Sequence, residues 1–142
     1  MSDEQIADWP QTEGGNGIVV LRGSPNCRDW NGIHYKAGLS AKNVGAGHLS
    51  MNVATIAPGG VARAHIHDGF EVMLYILQGH VRHAYGPGLV HTVENDAGDF
   101  IFIAPGVPHE VYNDSPDEPV VAVVARSDAG EWERIIPYPA NG

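Results

Sequence analysis

Turn-forming residues recur about every ten positions along this chain, and that interval limits what it can fold into. Eighteen glycines and ten prolines make up about a fifth of the 142 residues. They gather in short clusters: PGG at 58–60, Gly79, GPG at 86–88, NDAGD at 95–99 and APGVP at 104–108. Between the clusters lie segments rich in β-branched and aromatic residues, the side chains that suit a pleated surface. These are GIVVLR at 17–22, HLSMNVATI at 48–56, ARAHIH at 62–67, EVMLYILQ at 71–78 and HVRHAY at 80–85. LVHTVE at 89–94, DFIFI at 99–103, HEVYN at 109–113 and VVAVVAR at 120–126 complete the set. No window of about 12 residues carries a helical period. Many short strands with evenly spaced turns predict an all-β, antiparallel sandwich or barrel.

No linker or low-complexity stretch interrupts the pattern, so one domain is expected, over 17–127. Residues 1–16 read as an N-terminal arm, and 128–142 as a C-terminal tail that adds an edge strand or packs on a partner subunit. An apolar content of 43% excludes a disordered chain. No apolar stretch is longer than the six residues of 72–77, which is strand-sized and far short of the ~18 residues a membrane span needs. The N-terminus, MSDEQIADWP, has neither a basic nor an apolar leader region, and Cys27 is the single cysteine. A reducing, cytoplasmic setting is the expectation. A net charge of −9 argues against nucleic acid or an anionic membrane as partner, since those surfaces are bound through basic patches.

Three histidines and a glutamate stand out. His65 and His67 are separated by one residue in a strand-like segment, so both imidazoles project from one face. Two cis ligands to one metal need that geometry. Glu71 opens the most apolar segment of the chain. An ionised carboxylate there either caps a solvated strand end or is satisfied by a cation. His109 follows directly on APGVP, a loop shaped by proline and glycine that fixes where the next strand begins. Three imidazoles and one carboxylate suit one divalent ion of the Fe, Mn, Ni, Co or Zn group.

These residues resemble the paired motifs of the cupins. Gly59 stands six residues before His65, then come His67, Glu71 and Gly79; the second half matches as Gly98, Gly106, His109 and Asn113. The chain is similar in particular to small single-domain RmlC-like cupins, a branch often labelled predicted mannose-6-phosphate isomerase. GLSAKNVGAGHLSMNVATIAPGG, YILQG and GDFIFIAPGVPH carry that likeness. The resemblance implies a jelly-roll barrel, an antiparallel double-stranded β-helix, with one metal ion on His65, His67, Glu71 and His109. Two departures stand out. Glu71 sits one place early, with Val72 in the usual carboxylate position, so Glu71 turns inward only if a β-bulge absorbs the extra residue. Pro105 comes one place late, with Ala104 in its slot.

A metal in a barrel mouth leaves positions for a small-molecule substrate. It can then act as a Lewis acid in isomerisation or elimination, or bind substrate together with dioxygen. The first route needs a general base, for which His83, Tyr85 and Tyr75 are the candidates. Met51, Met73 and Leu77 are expected to form an apolar substrate pocket. Arg63 shares a strand face with His65, where it either binds an anionic group or pairs outward with an acid. The expected function is a metal-dependent enzyme acting on a sugar-like molecule or a hydroxy or keto acid. The alternative is a non-catalytic cupin that binds or senses a small ligand. Because open sheet edges invite pairing, a homodimer is expected.

Overall fold

The computed structural model describes residues 11–23 and 26–139. Residues 1–10 of the expected N-terminal arm, Trp9 among them, and 140–142 of the tail lie outside the described residues. The chain enters through a two-stranded ribbon, β1 (Gln11–Gly15) against β2 (Ile18–Arg22). Two antiparallel sheets follow and face each other. In spatial order, the first contains β10 (Phe100–Ile103), β7 (Val72–Gln78), β12 (Val120–Arg126), β5 (Ser50–Ile56), β4 (Ile33–Ala37) and β3 (Cys27–Trp30). The second contains β13 (Ile136–Pro137), β6 (Val61–Ile66), β11 (His109–Tyr112), β8 (His80–Tyr85) and β9 (His91–Asp96). One four-residue helix, α1 (Ala41–Val44), and a 3₁₀ turn at Pro87–Leu89 are the helical elements among the described residues. The fold is the all-β antiparallel barrel that the turn spacing predicts.

Strand period two decides what is inside. In β12 the residues Val120, Ala122, Val124 and Arg126 are buried while their odd-numbered neighbours are less so. In β7 the inward set is Val72, Leu74 and Ile76, and in β8 it includes Val81 and His83. Ile56, Ala62, Ile76, Val81, Val120 and Ala122 form one core cluster between the sheets. Phe70, Val72, Ile103 and Val124 form another. The turn from β7 to β8 requires glycine: Gly79 has φ +92°, and a Cβ there would lie 2.5 Å from the Pro119 carbonyl oxygen.

Two local features set up the site. Opposite β11, strand β6 carries a bulge: His65 faces His109, yet Ala62 faces Val111, so Arg63 and Ala64 together oppose Glu110. The Glu110 carboxylate accepts from the Ala64 N–H at 3.0 Å within this bulge. Ala62 and His65, three residues apart, are therefore both buried. The second feature is the chain after β12. It folds back across the sheets and adds β13 to the open edge of β6, with Ile136 opposite Ile66 and Pro137 opposite His65.

Candidate metal centre

The bulge in β6 turns His65 into the barrel, and His67 follows one pleat later, just beyond the strand. His109 arrives from the facing strand, in register with His65. The preceding loop is tied to the same spot, because the Gly106 N–H donates to the His67 carbonyl at 2.8 Å. All three rings are buried, with centroid separations of 5.1 Å (His65 to His67), 4.3 Å (His65 to His109) and 4.8 Å (His67 to His109). Their ligating atoms lie within 4.8 Å of one another, as donors to a single metal ion must.

The hydrogen bonds select the tautomers. His65 Nδ1 lies 2.6 Å from the Arg63 carbonyl oxygen, and His109 Nδ1 lies 2.9 Å from that of Val107. A carbonyl only accepts, so each Nδ1 carries the proton and each Nε2 presents a lone pair. Backbone partners of this kind orient metal-ligating histidines. Burial keeps these imidazoles uncharged. It pushes His109 down to about 3, with the neighbouring His65 adding to the effect, and it also lowers His65. Neutral imidazoles with outward-locked Nδ1 atoms are the donor set a borderline divalent ion takes, so the residues fit the metal.

Glu71 does not join them. Its side chain is exposed, while its backbone is pinned on both sides to Ser127: its N–H donates to the Ser127 hydroxyl at 2.8 Å, and its carbonyl accepts from the Ser127 N–H at 3.1 Å. Strand β7 runs opposite β12 in unbroken register from Val72–Arg126 to Ile76–Ala122, so no bulge at its head restores the lost residue. Val72 takes the inward position instead. Strand β7 is irregular only at its far end, at Leu77, and the bulge beside the histidines lies upstream, in β6.

A carboxylate reaches the histidines from elsewhere. Glu133, in the segment that folds back after β12, is buried, and its Oε1 sits against His67 Nε2 and 3.9 Å from His65 Nε2. Its Oε2 accepts from the Tyr35 hydroxyl at 3.1 Å. Burial raises the pKa of this carboxyl, but its hydrogen bond with His67 and its electrostatic interactions with His67, His65 and the Arg126 guanidinium outweigh it, leaving it below the ordinary carboxylate range. Burial and the Glu133 charge in turn raise Tyr35, which stays a phenol. The segment is anchored from inside. Buried Arg126 donates to the carbonyls of Gly130 (2.7 Å) and Glu131 (3.2 Å), and the Arg28 guanidinium stacks between Trp30 and Trp132. The tail offered no motif for Glu133. The one available signal was indirect: Val72 in the usual carboxylate position leaves the site short of an anion.

The histidines open onto an internal cavity of about 70 Å³. At roughly 10–15 Å³ per water centre, it has room for an ion and a small organic molecule or several waters. Its wall is mostly apolar, with Ile33, Leu74, Ile76, Ile103 and Val124 among the contributors. His83 is the polar group that shares the wall apart from the histidine cluster, Glu133 and Tyr35. Burial brings the His83 imidazole down to about 4, so it stands neutral in the cavity near neutral pH.

The other expected site residues lie elsewhere. Tyr75 is on the outer face of β7, where its ring packs 4.6 Å from Phe100. Tyr85 is exposed at the end of β8, against His91. Met51, Met73 and Leu77 are odd-numbered residues of strands whose even-numbered residues face the core, and all three are exposed on the outer surface. Arg63 is also exposed: the bulge takes it off the His65 face and into an outer groove with Glu110 and Tyr138. On the outer face of β8, His80 contacts Glu94 and Asp96, and Arg82 pairs with Asp114.

Solved structures share this architecture. The Lactobacillus farciminis oxalate decarboxylase formate complex matches with TM-score 0.67 and 20% identity, over 80% of this chain and 33% of that one. A recombinant oxalate oxidase in complex with glycolate matches with TM-score 0.62 and 21% identity, over 75% of this chain and 55% of that one. Peruvianin-I, a cysteine peptidase from Thevetia peruviana latex, matches with TM-score 0.64 and 15% identity, over 82% of this chain and 74% of that one. This chain thus spans about a third of the decarboxylase and about half of the oxidase. No curated protein matches it in sequence. The Cupin domain family matches residues 52–126, just over half of the chain, and the motif residues from Gly59 to Asn113 fall inside that match. The chain belongs to the cupin domain family.

Proposed function

We propose that the protein is a metal-dependent enzyme acting on a small hydroxy or keto acid, held at one divalent ion on His65, His67 and His109. The observation that carries this reading is the convergence of three buried imidazoles at the edge of an apolar cavity. A bound divalent ion supplies Lewis acidity toward a carboxylate and an adjacent oxygen. The apolar walls exclude bulk water and hold the carbon skeleton. His83, neutral and facing the same cavity, accepts a proton from the substrate and returns it at another atom, the work of an isomerase or lyase base. Tyr35 keeps Glu133 in place through its hydroxyl.

Between the two substrate classes expected from sequence, the cavity favours the acid. A sugar phosphate, the substrate implied by the isomerase branch, needs many hydrogen-bonding partners, and these walls offer few. Two neighbours of the same fold were solved with formate and with glycolate, which supports small carboxylates as the compounds to test. The Mn(II) centres of a Bacillus subtilis oxalate decarboxylase support manganese as the first metal to try, ahead of Fe, Ni, Co and Zn. The apolar wall also favours a second reading, oxygen-dependent cleavage of the same substrate class.

The test is a screen of hydroxy and keto acids with the metal-loaded protein, in paired aerobic and anaerobic reactions. Turnover in both atmospheres, abolished in His83→Phe, is the expected result. Turnover in air alone favours the oxygen-dependent reading. Binding without conversion in either atmosphere contradicts the enzyme and leaves a ligand-binding cupin.

A further inference from the structure

The site lacks a carboxylate where the first motif should supply one, and a buried carboxylate from a distant segment lies against two of its three imidazoles. We infer that Glu133 is the fourth, anionic ligand of the metal site, delivered by the C-terminal segment in place of the motif glutamate. The inference rests on the three-histidine site proposed above.

The geometry supports ligation over a chance contact. Glu133 approaches Nε2 of both His65 and His67, and Nε2 is the nitrogen that His65 leaves free when its Nδ1 binds a backbone carbonyl. A carboxylate on that side shares the space an ion held by the imidazoles would occupy. A buried anion is costly unless it is paired or bound to a metal. The groups around Glu133 are the Tyr35 hydroxyl, which donates to it, the imidazoles of His67 and His65, and Arg126, whose hydrogen bonds go to the backbone carbonyls of Gly130 and Glu131. A divalent ion between the carboxylate and the imidazoles satisfies all of them together. Glu71 cannot compete, since its exposed side chain stands at the head of a strand whose register is unbroken from Val72 to Ile76.

The placement ties metal binding to the docking of the C-terminal segment. Arg126 holds that segment at its base, and the Arg28 side chain donates to the Glu133 carbonyl at 3.4 Å. Lys42 and Asn26 add contacts to Glu131. Ions that bind should therefore clamp residues 130–136 against the barrel.

The test uses the full chain with Co(II) as probe, since its visible absorption reports coordination number and ligand charge. Glu133→Gln, Glu133→Asp and Glu71→Gln are compared with the wild type by direct titration, by spectrum and by hydrogen exchange of 130–136 with and without Co(II). Changes to a residue that merely orients a ligand cost roughly 10–100-fold in metal affinity. Loss of an anionic ligand should weaken Co(II) binding by at least that factor in Glu133→Gln, change the visible band and abolish the metal-dependent slowing of exchange. Glu133→Asp should recover part of the affinity with a shifted band, while Glu71→Gln should bind within about twofold of the wild type. Wild-type affinity and spectrum in Glu133→Gln overturn the inference, as does a large loss in Glu71→Gln. If Glu133→Gln does not fold, as judged by circular dichroism, Glu133→Asp carries the test: a spectrum identical to the wild type overturns the inference. Failure of the wild type itself to bind Co(II) refutes the three-histidine site, a separate outcome.

Discussion

His83 titrates differently in the folded and unfolded chain, and replacing it isolates the consequence. In the cavity its pKa is pushed down to about 4 by burial, against 6.5 for an exposed imidazole. Between those values the unfolded chain binds a proton that the native protein does not. Folding stability is thus unaffected by His83 above about pH 6.5, falls as pH drops through that value, and levels off below about pH 4. One pKa unit corresponds to about 1.4 kcal/mol, so the full shift amounts to roughly 3 kcal/mol and about 2.5 kcal/mol is lost by pH 4.5. His83→Phe keeps an aromatic ring against the apolar wall and removes the titration. The assay is urea unfolding of metal-free protein, with chelator present, at about pH 7 and pH 4.5. The wild type should lose about 2.5 kcal/mol more than His83→Phe between the two conditions; the many carboxylates that also titrate cancel in the comparison. Equal losses would mean that His83 is solvated or already protonated in the native state, and its role as a neutral base would fall with that result.

Two further predictions concern the scaffold and the assembly. Asn113, buried at the end of the second motif, donates from Nδ2 toward the carbonyls of Ile56, Ala57 and Glu118 and accepts from the Ser115 N–H. Asn113→Ala should cost about 2–4 kcal/mol by thermal or urea unfolding, and a loss below about 1 kcal/mol would show these bonds to be replaceable by water. On the outer face of the six-stranded sheet, Phe100 (82% exposed), Met73 (56%), Phe102 (54%) and Met51 (48%) present apolar surface. At ~200 Å² for each large side chain this approaches 500 Å², more than half of the ~800 Å² per partner in a standard interface. We propose that a second copy of the chain covers it. Sedimentation at micromolar concentration should give a dimer for the wild type and a monomer for Phe100→Glu; a monomeric wild type contradicts the proposal.

The parts of the molecule written in short-range pattern were legible from sequence. Even turn spacing gave the all-β class, and alternation within His65-Ile66-His67 put two imidazoles on one side. His109 was legible because its loop fixes the start of β11. What failed was facing. The segment VMLYIL is apolar on both faces, so period two groups Met73 with Tyr75 and Leu77 but does not say which group is inside. The core claimed Val72, Leu74 and Ile76, and Met73 and Leu77 fell outside. Arg63 was misread for a related reason: a bulge between it and His65 changes the parity, and nothing local in ARAHIH marks the bulge. Glu133 depends on a contact 66 residues distant from His67. Such a contact is set by how the tail docks on Arg126 and Arg28, beyond the reach of any local pattern.

The central claim is that one divalent ion binds at His65, His67 and His109, and metal analysis of the purified protein tests it most directly. Protein prepared without chelator, or reconstituted with Mn(II) or Co(II), should carry one equivalent of metal. His67→Ala and His109→Ala should each carry none while keeping the circular dichroism of a folded barrel. A full equivalent of metal in either folded variant would contradict the account.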